Sequence, residues 1–258
     1  KYSAEGEVEW AKNIGGSSED YIQSVAETSD GGYIAGGYFK GTIQVGNETL
    51  KSDGSVDGLI IKYNSEGEVE WAKNIGGSRS EYINSVASTS DGGVIVGGYF
   101  ISESIQIGDY TLTSNGGYDG LIIKYSGEGE IEWADSIGGS DDDYINSVTE
   151  TTKGKVIAGG YFESKTIQAG NETLTNNSNS TSYSDGLIIK YSSKGKIERA
   201  DSIGGSYDDA INSVAGTRDG GVIAGGYFSD GSIQVGDYIL TNNSSPTNWE
   251  DGLIIKYS

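Results

Sequence analysis

Four acidic residues recur at one point of a repeated motif: Asp20, Glu81, Asp143 and Asp209. Each lies a few residues after a Gly-Gly-Ser loop and directly before a β-type run. Carboxylates gathered around one axis would hold a hard, oxygen-loving cation such as calcium, or receive a cationic group on a ligand. Like charges held close raise one another's pKa unless a cation compensates. The plainer alternative is that each acid accepts backbone N–H groups and caps its own turn. No other cofactor is implied.

Tyrosines flank these acids. Tyr21, Tyr82 and Tyr144 follow three of them, and Tyr38, Tyr99, Tyr161 and Tyr227 each precede a Phe in a Tyr-Phe pair. Aromatic faces beside Asn, Asp and Ser can stack on sugars or grip a peptide. The alternative is packing between neighbouring sheets. Strand alternation lets only one member of each pair face a given neighbour, and packing is the reading for the Phe.

Catalysis finds little support. The chain has no Cys and no His, which removes thiolate zinc sites, disulfides, Cys nucleophiles and His bases. A carboxylate pair could hydrolyse glycosides. An acid and a base, however, need different environments, whereas four near-equal repeats supply equivalent ones. The chain is read as a non-enzyme with no catalytic residue.

The net charge is −21, from 38 Asp plus Glu against 17 Lys plus Arg. That field repels nucleic acid and anionic membrane surfaces and attracts cations or basic partners. No apolar run approaches the roughly 18 to 20 residues that span a bilayer.

The elements that must position these residues follow from an internal repeat. Glu5–Ser17 (EGEVEWAKNIGGS) recurs verbatim at Glu66–Ser78, and relatives stand at Glu128–Ser140 and Lys194–Ser206. A Lys-Tyr pair begins at Lys1, Lys62, Lys124, Lys190 and Lys256. The chain therefore reads as one domain over residues 1–258, with repeats 1–61, 62–123, 124–189 and 190–255, and 256–258 completing a last strand. Each repeat predicts four strands, A to D. In the first they are Tyr21–Thr28, Gly32–Phe39, Asp57–Tyr63 and Glu68–Ile75, with a small extra hairpin in Thr42–Leu50 around Gly46-Asn47. Strand C (DGLIIKY) is apolar on both faces, as a strand between two sheets must be. Strand D alternates and suits an outer edge.

The fold class expected is all-β: a four-bladed β-propeller closed by pairing its N-terminal strand, Gly6–Ile14, with the C-terminal blade. A piece of a longer array, or two chains forming one eight-bladed ring, are the alternatives.

The pattern WAKxIGGS, then SVAxTxDGGxIxGGYF, then DGLIIKY, resembles the bacterial β-propeller repeat (SBBP-like) family. The resemblance covers the chain four times over. It implies a propeller fold and a secreted or cell-surface setting, and it implies no defined activity. Arg199 departs from the Trp at Trp10, Trp71 and Trp133, so the last repeat should pack differently. The function expected is an extracellular adhesion or binding module for a glycan, peptide or cation, with its partner a glycan or protein at the cell surface. The alternative is a structural subunit of a fibre or surface layer that self-assembles through outer strands or insertions. Acceptor-like triplets such as Asn47-Glu48-Thr49, Asn179-Ser180-Thr181 and Asn243-Ser244-Ser245 are read as chance matches in Asn/Ser-rich loops.

Overall fold

The computed structural model describes residues 1–178, 180, 182–243 and 249–258. The triplets at Asn179 and those reaching Ser244 fall wholly or partly outside these residues. The first repeat forms β1 (Asp20–Glu27), β2 (Tyr33–Phe39), β3 (Thr42–Val45), β4 (Glu48–Lys51), β5 (Asp57–Tyr63) and β6 (Val69–Ile75). The second forms β7 (Glu81–Ser88), β8 (Val94–Phe100), β9 (Ser104–Ile107), β10 (Tyr110–Thr113), β11 (Asp119–Tyr125) and β12 (Ile131–Ile137). The third forms β13 (Asp143–Glu150), β14 (Val156–Phe162), β15 (Thr166–Ala169), β16 (Glu172–Thr175), β17 (Asp185–Tyr191) and β18 (Ile197–Ile203). The fourth forms β19 (Asp209–Gly216), β20 (Val222–Phe228), β21 (Ser232–Val235), β22 (Tyr238–Thr241) and β23 (Asp251–Tyr257).

Three antiparallel sheets have four strands, in the orders β1-β2-β5-β6, β7-β8-β11-β12 and β13-β14-β17-β18; the fourth has three, β19-β20-β23. Each small hairpin, such as β3-β4, is a separate two-stranded sheet. Gly46 turns that hairpin at φ 57, a conformation that costs glycine little.

Local chemistry sets the turns. Between β1 and β2, the Thr28 hydroxyl donates to Asp30 Oδ1 at 2.6 Å, and the same oxygen accepts from Gly32 N at 3.1 Å. The other Asp30 oxygen meets Lys62 Nζ at 2.6 Å, and Glu70 meets that ammonium at 2.5 Å. Lys124 is held in the same way by Asp91 and Glu132. These buried lysines pin a turn to strands C and D of their own sheet.

The core lies in slabs between successive sheets. Ile83 and Val86 of the second sheet press on Gly36 of the first, where a Cβ would stand 2.5 Å from Val86 Cγ1. The same contact recurs at Gly97 with Val148 and at Gly159 with Val214. A glycine here lets the next sheet approach closely. The strands β5 and β11 are buried at every residue, as expected for a strand between two layers.

The expected pairing of the N-terminal segment with the last sheet is not what the structure shows. Among the described residues, β23 pairs with β20 alone. The N-terminal segment instead folds into its own small loop, with a Tyr2–Val8 bridge and Lys1 N donating to Trp10 O at 2.9 Å. It lies on the first sheet, where Trp10 meets Tyr33 and Tyr63 at centroid distances of 5.7 and 6.0 Å. One repeat on, Trp71 packs on Tyr125 and Trp133 on Tyr191, while each also pairs in its own sheet, with Lys62 and Lys124. The strand-D Trp touches the following sheet, so Trp10 holds its segment to the first. Pairing with the last sheet as well would need the first and last sheets to meet, and Val25 and Ile254 on their outer faces are 72% and 75% exposed. Arg199 takes the Trp place before the last sheet and lies over the Tyr257 ring at 5.8 Å, the different packing its substitution suggested.

Candidate functional site: a tyrosine arcade on one rim

Strands A and B meet at the rim in a fixed register. Tyr21 faces Tyr38, Tyr82 faces Tyr99 and Tyr144 faces Tyr161, while the acids Asp20, Glu81 and Asp143 stand opposite Phe39, Phe100 and Phe162. Alternation sends the acid and Phe to one face and the tyrosines to the other. The four Phe side chains are buried. The tyrosines are half-buried, and Tyr21 is exposed.

The tyrosines form one continuous series. Cross-strand pairs lie at 5.0 Å (Tyr21–Tyr38), 4.9 Å (Tyr82–Tyr99) and 4.8 Å (Tyr144–Tyr161). Edge-to-face contacts carry the series from sheet to sheet, at 4.9 Å for Tyr38–Tyr82 and 4.7 Å for Tyr99–Tyr144. Such geometries are favoured by the ring quadrupole. Tyr227 stands apart from these pairs, because its cross-strand partner is Ala210. Burial, then neighbouring tyrosines, push the Tyr99 phenol up to about 12. Burial, with Glu163 and Tyr227 nearby, does the same for Tyr161. These phenols are neutral at physiological pH.

Sequence reasoning missed one member. Tyr118 stacks edge-on against Tyr99 at 5.2 Å and lies 5.8 Å from Tyr144. It precedes strand C, where the other repeats carry Val56, Ser184 and Glu250, so the repeat gave no signal for it.

The four acids are not brought together. Asp20, Glu81, Asp143 and Asp209 each accept the backbone N–H of the residue four before: Gly16 at 2.7 Å, Gly77 at 2.8 Å, Gly139 at 2.7 Å and Gly205 at 2.9 Å. Each also fastens the segment after strand B, through Lys40 N, the Ser102 hydroxyl, the Ser164 hydroxyl and N–H, or Ser229 N. They staple two loops of their own sheet. Among the described residues, no group of three or more acids is placed to hold a metal ion.

Three buried acids escaped the sequence reading: Asp57, Asp119 and Asp185, the first residues of strand C. Each lies near the staple acid of the next sheet. A Cβ on Gly204 would stand 2.6 Å from Asp185 Oδ1 and 2.7 Å from Asp209 Oδ2. Burial is the main cause that pushes Asp143 up to about 7 and Asp209 to about 8, with Asp119 adding repulsion at the first and Asp230, then Asp185, at the second. Burial raises Asp119 and Asp185 to about 6. These pairs sit beneath the rim, shielded from any ligand on it.

Repeated four-strand antiparallel sheets, packed face to face along the chain, are β-propeller-type blades, and the class is an all-β repeat protein of that kind. No family model matches the chain. It is 25% identical over 283 residues to regulatory protein FlaEY of Caulobacter vibrioides, covering all of this chain and 28% of the relative. It is 30% identical over 116 residues to an uncharacterized WD repeat-containing protein of Acanthamoeba polyphaga mimivirus, covering 39% of this chain and 8% of the relative. The chain thus spans less than a third of either relative. An extracellular domain from B. thetaiotaomicron aligns with 91% of this chain and 35% of its own at 16% identity, with a TM-score of 0.29. Among the described residues no helix is long and apolar enough to cross a membrane.

Proposed function

We propose that the protein is an extracellular or cell-surface binding module, that its ligand lies along the tyrosine arcade, and that it binds without turnover. One observation carries the reading: six tyrosines, Tyr21 through Tyr161, touch in unbroken sequence across three sheets, with faces left partly open. A core needs no such row of half-wet phenols. Acids fringe it. Asp142 accepts from the Tyr144 hydroxyl at 3.2 Å, and the charge of Glu163 helps raise the Tyr161 phenol. Aromatic faces beside carboxylates suit a cationic side chain by cation–π attraction. The ligand class is a basic peptide segment, with a neutral glycan as the competitor. The carboxyl groups with the most displaced pKa values are buried, which keeps them from acting on a substrate.

The test titrates a tetra-arginine peptide and cellohexaose against the protein, following tyrosine and tryptophan fluorescence. The arginine peptide binds the intact chain, and Tyr99→Ala weakens it about tenfold, the loss of one partly desolvated cation–π contact. Binding that survives Tyr38→Ala, Tyr99→Ala and Tyr144→Ala unchanged would remove the arcade from the account. Selective binding of cellohexaose would replace the peptide with a glycan.

A further inference from the structure

The two outer faces of this row of sheets are unlike its interior. Val86, Val148 and Val214 are 5%, 4% and 7% exposed, each pressed on the preceding sheet; Val25, their counterpart in the first sheet, is 72% exposed. Ile60, Ile122 and Ile188 are 0%, 0% and 5% exposed, each covered by the following sheet; Ile254, their counterpart in the last, is 75% exposed. Ile22 and Ile223 are exposed in the same way. Gly225 occupies the place of Gly36, Gly97 and Gly159, yet a Cβ there would meet only Leu253 O of its own sheet, at 3.9 Å.

The molecule itself shows what covers such faces. At its three internal junctions, Ser24, Ser85 and Ser147 accept from Val86, Val148 and Val214 N, each at 3.1 Å. At two of them Asn84 and Asn146 donate to Ile145 and Ile211 carbonyls at 3.0 and 3.1 Å. The last sheet carries the same pair, Asn212 and Ser213, exposed. The first sheet carries their complements, Ile22 and Val25, also exposed.

The strand inventory agrees. Among the described residues β23 pairs on one edge only, with β20, whereas β5, β11 and β17 pair on both. The Val8–Ile14 segment carries a strand-D sequence and, among the described residues, pairs with no strand of the four large sheets. Its Trp10 is poorly seated: the indole Nε1 is buried without an acceptor, whereas Trp71 and Trp133 donate to Gly127 and Ser193 carbonyls at 3.0 and 3.1 Å.

We propose that a second copy of this chain docks head to tail on the first. The Ile22–Val25 face of one copy buries against Ile223, Gly225 and Ile254 of the other. The Val8–Ile14 segment of the first adds as the outer strand along β23 of the second. The internal sheets set the register. Lys62 pairs with Trp71 and Gly58 with Ile75, so Lys256 pairs with Trp10 and Gly252 with Ile14 of the neighbour. Asn212 donates to the Ile22 carbonyl, and Ser213 accepts from Val25 N. Trp10 then finds an acceptor at the Ser65 carbonyl, the place Gly127 holds for Trp71. The interface is heterologous, so copies close into a ring or continue as a filament according to the rotation at each step. Each copy carries −21, so salt strengthens the association by screening that repulsion.

Analytical ultracentrifugation of the whole chain tests this. The intact chain sediments at twice the 27.1 kDa chain mass or more, increasingly so at higher salt. Val25→Asp and Ile254→Asp each sediment as single chains. Their equimolar mixture regains a two-chain species, because it contains one undamaged face of each kind. Gly225→Leu fills the receiving face without adding charge and also yields single chains, which guards against misfolding of the Asp variants. An intact chain that stays at single-chain mass at every concentration and salt overturns the proposal, whether its faces stay open or close on each other. So does a Val25→Asp variant that assembles like the intact chain.

Discussion

The heptapeptide DGLIIKY occurs as β11 in the second sheet and as β23 in the last, letter for letter. In β11 all seven residues are buried. In β23 only Leu253 is. Identical residues with identical propensity thus meet opposite environments, and the difference comes from the neighbours. A strand between two sheets loses its water to them; the same strand at the end of the row keeps it. Stability in such an array is a sum of sheet and junction contributions, and a substitution reports on whichever junction it touches.

The largest expected contrast is a charge placed at equivalent sites. Ile122→Asp buries an unpaired carboxylate and should cost about 4 kcal/mol or more, enough to prevent folding. Ile254→Asp, measured in dilute solution, should shift stability by no more than about 0.5 kcal/mol. Urea titration checks both, and equal losses would erase the distinction between the two strands.

A smaller contrast uses the glycines. Gly97→Ala puts a Cβ 2.5 Å from Val148 Cγ1 and should cost about 1–3 kcal/mol through overpacking. Gly225→Ala meets nothing that must move and should be near neutral in dilute solution. Comparable losses at both sites would mean that strand conformation, rather than the junction, requires glycine.

The smallest effect expected is on pH. All three junctions enclose a buried acid pair, Asp57 with Glu81, Asp119 with Asp143 and Asp185 with Asp209, and among the described residues the outer faces enclose none. Asp143 and Asp209 titrate near 7 and 8 in the folded chain, against about 3.9 in an unfolded one. The folded state then holds more protons between pH 4 and 8, so stability rises as pH falls through that window. Below it, the trend reverses, because Lys124 and Thr89 help hold Asp91 down at about 2, and Lys62 holds Asp30 lower still. Melting temperature should peak near pH 4 to 5. Asp209→Asn should flatten the slope between pH 5 and 8, and a slope unchanged by that substitution would assign it to general charge repulsion.

Much of this was legible in the chain. The repeated DGLIIKY and TxDGG segments gave strand C, the A–B turn and the sheet order, and Gly46-Asn47 gave the extra hairpin. The rim tyrosines were found because three of them recur beside the acids. What escaped depended on facts outside the repeat. Tyr118 is unique to its repeat, and sequence offers no partner for a residue that joins Tyr99 of its own sheet to Tyr144 of the next. Asp57, Asp119 and Asp185 open the apolar motif DGLIIKY, where the aliphatic residues carried the signal and the leading Asp drew no separate reading. The four staple acids each fasten loops of their own sheet, and their separation was not legible because distance between sheets cannot be read along a strand. The N-terminal segment stays on the first sheet through Trp10, and whether the first and last sheets meet depends on the rotation between successive sheets, which no strand sequence encodes by itself.

Hydrogen exchange at the amides of β23 and at Val25, with chain concentration as the variable, reports on both outer faces at once. The outer edge of β23 and the Val25 amide should exchange within seconds in dilute solution and become protected together as concentration rises, while β11 stays protected throughout. Exchange at both places that is equally fast, or equally slow, at every concentration would contradict docking of one copy's last sheet on another copy's first.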